Sequence, residues 1–326
     1  MRFGVILTVL LGLTLAAWLM VSIGVHAIVM AMLGVGWGGF LVLCVSGIAL
    51  FAILGAAWFI IVPRQTKTRL LSFAWSRAVR ECAGELLPFS QLGGIVIGAR
   101  ALTLRGVDGS LAFASSLVDI TVEMIAQIVF VLAGLVFLMT FARRAAASAL
   151  TRSVAVGLVL GLIIVALFSL FQRHGVSALE RWSGRWFPKG RVWLTGLHSS
   201  LGAIHASPLR LATSLTFHLC GWAGTALWAW LALYLIGRPL SFPFVFTIEA
   251  ILCAIRSLSV LIPGALGVQE ASYAVIGPLF GLAPSAAVAL SLLKRARDVA
   301  IGIPVLAAWQ LAEGNREWQG GRGPTP

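Results

Sequence analysis

Apolar residues fill this chain in long blocks. Runs near residues 3–23, 39–62, 111–141, 153–171, 211–236 and 244–262 each reach the roughly 20 residues a helix needs to cross a bilayer. Two further stretches, 78–104 and 268–311, are apolar but interrupted by charge, glycine and proline. The pattern predicts an all-α polytopic membrane protein, with residues 1–312 forming a single transmembrane domain. The first run follows Met1 and Arg2, exceeds the apolar core of a signal peptide and precedes no convincing cleavage site, so a retained first helix is expected. Residues 313–326 carry glycine, proline and charge with little to bury, and are expected to form a disordered tail.

The two interrupted stretches resemble each other. "LLPFSQLGG" at 86–94 and "LIPGALGVQEA" at 261–271 each hold two aliphatic residues, a proline and a Leu-Gly step, and each is preceded by an arginine, Arg80 or Arg256. Asp119 follows the first and Asp298 the second, 31 and 35 residues beyond the prolines. Proline lacks an N–H and disfavours helix before it, so the chain should break near Leu87 and again near Pro263. The backbone groups freed there are tolerated at membrane depth only beneath protein or beside a wet cavity. Broken segments at matching places in two halves point to a weak inverted repeat, as in transporters. The expected objects are two re-entrant hairpins, one around Pro88 and Gln91 and one around Pro263, Gly264 and Gly267.

Composition fixes the setting. The chain has 326 residues, 60% hydrophobic and 11% charged, outside the soluble-globular balance. Its formal net charge of +13 is gathered in particular loops, which is how membrane orientation is written, so nucleic acid is not an expected partner. Arg64, Lys67, Arg69 and Arg77 follow the second run, whereas 24–38 has no Lys or Arg, which places the N-terminus and the 63–77 loop on the cytoplasmic side. The connection 172–209 joins Arg173, Arg181, Arg185, Lys189 and Arg191 to Trp182, Trp186 and Trp193, side chains suited to a headgroup zone. Trp193, Leu197, Leu201 and Ile204 recur at helical spacing, so this cytoplasmic connection is either a surface helix or an ordinary basic loop. His174, His198 and His205, and the four cysteines, Cys44, Cys82, Cys220 and Cys253, show no metal-ligand spacing, and no metal or cofactor is expected.

Charge inside the apolar blocks carries the chemistry. Of 11 acidic residues, seven (Glu81, Glu85, Asp119, Glu123, Glu249, Glu270 and Asp298) fall there, although a carboxylate at mid-bilayer costs about 3 kcal/mol on insertion scales. Ser116, Asp119, Glu123 and Gln127 form one stripe of a helix whose other faces are apolar. Arg77 with Glu81, and Lys294 with Asp298, are i, i+4 neighbours, and Arg256 shares a face with Glu249. Two readings stay open: internal ion pairs that fix packing, or walls of a cavity for a polar ligand. Lys294, Arg295 and Arg297 mark either a cytoplasmic turn or the lining of one long helix.

"LIPGALGVQEASYAVIGPLFGL", followed by "LLKRARDVAIGIPVL", resembles the end of the flippase-like membrane region of lysylphosphatidylglycerol synthases of the MprF type. "RAVRECAGELLPFSQLGG" is similar to the corresponding element of stand-alone relatives, closest to the HpnL-like branch of hopanoid loci. The resemblance implies a bundle of about eight helices with paired re-entrant elements and movement of a lipid between leaflets, with the proline-glycine-glutamate element at Pro263, Gly264, Gly267 and Glu270. Only a short stretch follows residue 311, so the synthases' lipid aminoacylation is not expected. The resulting expectation is a lipid translocase and not an enzyme, with a headgroup path along Glu81, Glu85, Pro88, Gln91, Asp119, Glu123, Arg256, Glu270, Arg297 and Asp298. The alternatives are an intramembrane lipid-modifying enzyme, for which no HExxH or GxSxG pattern is present, and a scaffold for lipid-synthesis enzymes docking on 172–209.

Overall fold

A computed structural model describes residues 33–63, 69–87, 90–141, 188–258 and 265–320, with isolated helical positions at residue 30 and between 159 and 170. The expected first helix, most of the 153–171 span, Pro88, Pro263 and Gly264 lie outside the described residues. So does the side chain of Gln91, whose backbone is helical.

The described residues are all-α, in nine helices. They are α1 (Gly36–Ile61), α2 (Leu70–Leu86), α3 (Ser90–Leu104), α4 (Gly109–Phe141), α5 (Pro188–His205), α6 (Pro208–Leu235), α7 (Phe242–Leu258), α8 (Val268–Ile276, extended by a 3-10 turn, Gly277–Phe280) and α9 (Pro284–Gly320). By length and composition α1 and α4 can each cross a membrane. Their outer faces carry exposed Leu41, Val45, Ile48, Leu132, Val136 and Met139. Such a surface suits lipid, where an apolar exterior carries no penalty.

Two hairpins organise the bundle. In the first, α2 and α3 run antiparallel and nearly touch: a Cβ at Gly94 would lie 2.6 Å from the Arg80 carbonyl, and one at Gly98 2.7 Å from the Arg80 Cβ. In the second, the Tyr273 hydroxyl of α8 donates to Glu249 of α7, and Phe280 packs on Phe244 at 5.7 Å. Residue numbers rise on one strand as they fall on the other, so α7 and α8 are antiparallel too. At 17, 15 and 17 residues, α2, α3 and α7 are only about 22–25 Å long at 1.5 Å per residue.

One end of the bundle is basic. There Arg210 donates to the Val62 carbonyl (3.3 Å), Arg105 lies over Trp75 (5.4 Å), and Gly196 abuts Ser110. These contacts gather the C-terminus of α1, both open ends of the first hairpin and the N-termini of α4 and α6. Asp108 caps α4, accepting from the Ser110 and Leu111 amides at 2.9 and 3.1 Å. The apolar stripe of α5 exists as expected, but Leu197, Leu201 and Ile204 are buried among Trp58, Phe73 and Val118. It faces protein, and only Trp193 of the four is exposed.

The first hairpin therefore opens at the basic end and points its tip inward. The second opens at the far end, and its tip also points inward: Gln127, just past the middle of α4, donates to Ser257 in the last turn of α7. Helix α9 runs past both. Its Lys294 and Arg295 reach the second hairpin, a Cβ at Gly302 would meet Leu86 of the first, and Glu313 pairs with Arg100 near the basic end. Lys294, Arg295 and Arg297 thus line a long helix and mark no turn. The helix assignment of α9 continues through Gly320, and Glu313 pairs with Arg100 of α3. Residues 321–326 lie outside the described residues.

Candidate functional site at the meeting of two hairpin tips

Helical spacing decides which charges meet. On α2, Arg77, Glu81 and Glu85 stand at i, i+4 and i+8, one stripe of the first hairpin. Toward the basic end this stripe meets the stripe of α4. Arg77 grips Glu123 with both guanidinium nitrogens (2.9 and 2.5 Å) and donates to Asp119 at 3.1 Å. Arg80 donates to Asp119 at 2.7 Å and also to Glu123, and Glu81 sits 2.9 Å from Arg77. Trp58 of α1 covers Arg80, with the guanidinium carbon 5.7 Å from the ring, while its indole N–H donates to Ser115 at 3.0 Å. His218 of α6 completes the group, its Nε2 lying 3.0 Å from Asp119 Oδ1. Arg77, Asp119 and His218 are fully buried.

At the tips the groups are only part-buried. Glu85 of the first hairpin accepts from Arg256 of the second at 2.5 Å, with side-chain exposures of 20% and 29%. Beside them α9 places Arg297 and Asp298, paired to each other at 2.7 Å, and Arg297 lies flat over Trp228 at 4.4 Å. A Cβ at Gly47 of α1 would strike Arg297 Cδ at 2.9 Å, so a glycine lets that side chain pass. Cations and carboxylates held part-open in an otherwise apolar bundle form a surface able to bind a polar, charged group.

Toward the far end a third group pairs within itself. Glu249 accepts from Tyr273 and Lys294. Glu270 takes Arg295 and Ser291, and also accepts from the amide of Gly267 at 2.9 Å, capping its own helix. Gly267 has φ +77, a conformation that side chains rarely adopt. Glu270 and Gly267 therefore shape the second hairpin rather than line the open surface.

Of the residues expected from sequence, Glu85, Arg256, Arg297 and Asp298 come together at the tips, and Glu81, Asp119 and Glu123 form the adjoining buried layer. Two expected pairings are not made. Lys294 goes to Glu249 and Asp298 to its neighbour Arg297, and Glu249 and Arg256, though on one face, take different partners. Sequence reading missed His218, which stands alone in an apolar run. An isolated ionisable side chain in a spanning segment was itself the available signal. Among the described residues no group of three or more His, Cys, Asp or Glu side chains is arranged to hold a metal ion.

A family model described as the lysylphosphatidylglycerol synthase TM region matches residues 5–305. The chain belongs to that family. The match takes in both hairpins, the tip charges and the buried layer, so the whole arrangement falls within the lysylphosphatidylglycerol synthase membrane region. It makes the chain a membrane protein with a lipid-related role. No curated protein and no solved structure matches the chain.

Proposed function

We propose that this protein is a lipid translocase, which moves a lipid between leaflets while the headgroup passes over the charges at the two hairpin tips and the tail stays in hydrocarbon. The observation that carries the reading is the Glu85–Arg256 pair, a part-exposed ion pair joining two elements that enter from opposite ends. Both hairpins are re-entrant in this account. Helices of about 25 Å fall short of a hydrocarbon core of about 30 Å, and the Glu85–Arg256 pair joins the two tips inside the bundle. Arginine offers paired donors to phosphate, and the carboxylates offer acceptors to amines and hydroxyls. The basic end faces the cytoplasm of a bacterial inner membrane, and the N-terminus with it.

The protein is a stand-alone, HpnL-like member whose substrate is a phospholipid or a hopanoid-type lipid. It carries out no chemistry of its own, needs no cofactor or metal, and works beside lipid-synthesis enzymes that supply its substrate. An intramembrane lipid-modifying enzyme and a scaffold docked through 172–209 are the competing readings. The deciding test is leaflet exchange of headgroup-labelled phospholipids and hopanoids in proteoliposomes. The account expects exchange above protein-free vesicles for at least one class. Turnover of the lipid to a new species would favour the enzyme, and no exchange across the panel would reject the translocase.

A further inference from the structure

The buried layer beside the tips is unbalanced. Glu81, Asp119 and Glu123 supply three carboxylates, and Arg77 and Arg80 two cations, so with every carboxylate ionised the layer's formal charge is −1 while His218 is neutral and zero once the imidazole takes a proton. His218 touches this layer through one nitrogen only. Its Nδ1, fully buried, has no hydrogen-bond partner among the described residues.

The hydroxyls of Ser76, Ser116 and Ser214 and the Nε of Arg77 share that condition, all on residues of zero exposure. Ser214 precedes His218 by one turn of α6, and Ser116 precedes Asp119 by one turn of α4. The two helices run in the same direction: Asp119 lies opposite His218, and Phe130, further along α4, stacks on Trp222, further along α6 (5.6 Å). Both serines therefore lie on the basic-end side of the His218–Asp119 bond. Unmade hydrogen bonds cost about 1–3 kcal/mol each in a dry interior. Several of them on turns next to the His218–Asp119 and Arg77–Asp119 contacts mark a polar site able to take up something small.

We propose that His218 is a proton-binding site, and that lipid movement is coupled to its protonation. Nε2 holds its hydrogen against the Asp119 carboxylate, so the proton adds to Nδ1, the nitrogen without a partner among the described residues, giving imidazolium, and leaves from the same atom; no bond between heavy atoms changes. Imidazole is the side chain that changes charge near neutrality, and it serves elsewhere as shuttle and sensor. The charged groups facing His218 among the described residues are Asp119 and Glu123 on α4 and Arg77, Arg80 and Glu81 on α2; α1 contributes only the neutral Trp58. Protonation supplies Asp119 with a third cation and weakens the claim of the two arginines on it. Those arginines belong to α2, the helix that carries Glu85 at its tip, so the proton acts on the element that holds the headgroup.

The coupling rests on the translocase reading, whereas the proton site does not, and the experiment separates them. A chain with His26, His174, His198 and His205 changed to Gln leaves His218 as the single histidine, and 15N-histidine NMR reads its charge state across about pH 5 to 8. The expected result is a change from neutral imidazole to imidazolium within that range. A His218 signal fixed in one charge state throughout would overturn the proposal, whatever the lipid assay gives. In proteoliposomes the exchange rate of the parent should vary about threefold or more over the same range, and that of a folded His218→Gln chain should not. An unchanged pH profile in His218→Gln would overturn the coupling and leave the translocase standing; absence of exchange in the parent would reject the translocase alone.

Discussion

Changing Asp119 to Ala removes the acceptor on which three buried side chains converge. Arg77, Arg80 and His218 donate to its two oxygens at 3.1, 2.7 and 3.0 Å, and none of the four is more than 6% exposed. Arg77 and Arg80 keep Glu123 and Glu81, so neither loses every partner, but the layer passes from a formal −1 to 0 and His218 loses its only bond among the described residues. Breaking a buried ion pair by deleting one partner costs about 3–5 kcal/mol, because the remaining charge cannot recover its hydration. At about 2 °C per kcal/mol for a chain of this size, the midpoint of thermal unfolding in detergent should fall by ~6–10 °C. Asp119→Asn keeps the shape and one carbonyl acceptor, and should lose roughly half as much. Scanning fluorimetry of the purified chain, with lipid-facing Leu41→Ala as the control, reads both shifts. A fall for Asp119→Ala no larger than that of the control would refute the reasoning, since it would mean that the layer is hydrated and its pairs are worth little.

Gly94→Ala places a methyl against the Arg80 carbonyl at 2.6 Å; it should part α2 from α3 and destabilise the chain by about 1–3 kcal/mol, a loss read from the same thermal midpoint. Gly267→Ala forces a side chain into φ +77 and should cost about 1–2 kcal/mol, with Gly47→Ala as a comparison that presses on the Arg297 and Ile301 side chains without a positive φ. Asp108 is held below the usual carboxylate range by the Ser110 hydroxyl and by the Leu111 and Ser110 amides. A lowered pKa means that its stabilisation is present above the ordinary carboxylate range and is lost as pH falls through the folded-state value. Asp108→Ala should therefore lower the midpoint by the equivalent of about 1 kcal/mol at pH 7, and the gap to the parent should close on acidification.

Helix positions were legible because lipid-spanning segments must be long and apolar, and that pattern set α1, α4, α6 and α7 to within a few residues. Interruptions of the two mixed stretches were legible because proline disrupts a backbone ladder; α2 ends at Leu86 before α3 begins at Ser90, and α7 ends at Leu258 before α8 begins at Val268. The stripe on α4 was also readable: Asp119 and Glu123 share a face and reach the same arginines. Partners across helices were not readable, because i, i+4 spacing says which side chains are neighbours but not which of them another helix will claim. Lys294 is drawn from Asp298 to Glu249 by α7, and Glu85 is claimed by an arginine 171 residues away. His218 and Trp58 enter the site only through the packing of α6 and α1 against α4 and α2, which no local pattern encodes.

The central claim is that the charges joining the hairpin tips carry the headgroup, and leaflet exchange in Glu85→Ala, Arg256→Ala and the double variant tests it most directly. At matched folding and reconstitution, each single change should slow exchange at least about tenfold, the equivalent of 1.4 kcal/mol, and the double change should be no worse than the slower single, as residues acting as one unit are not additive. Exchange within about twofold of the parent in all three would contradict the claim and leave the Glu85–Arg256 pair as packing alone.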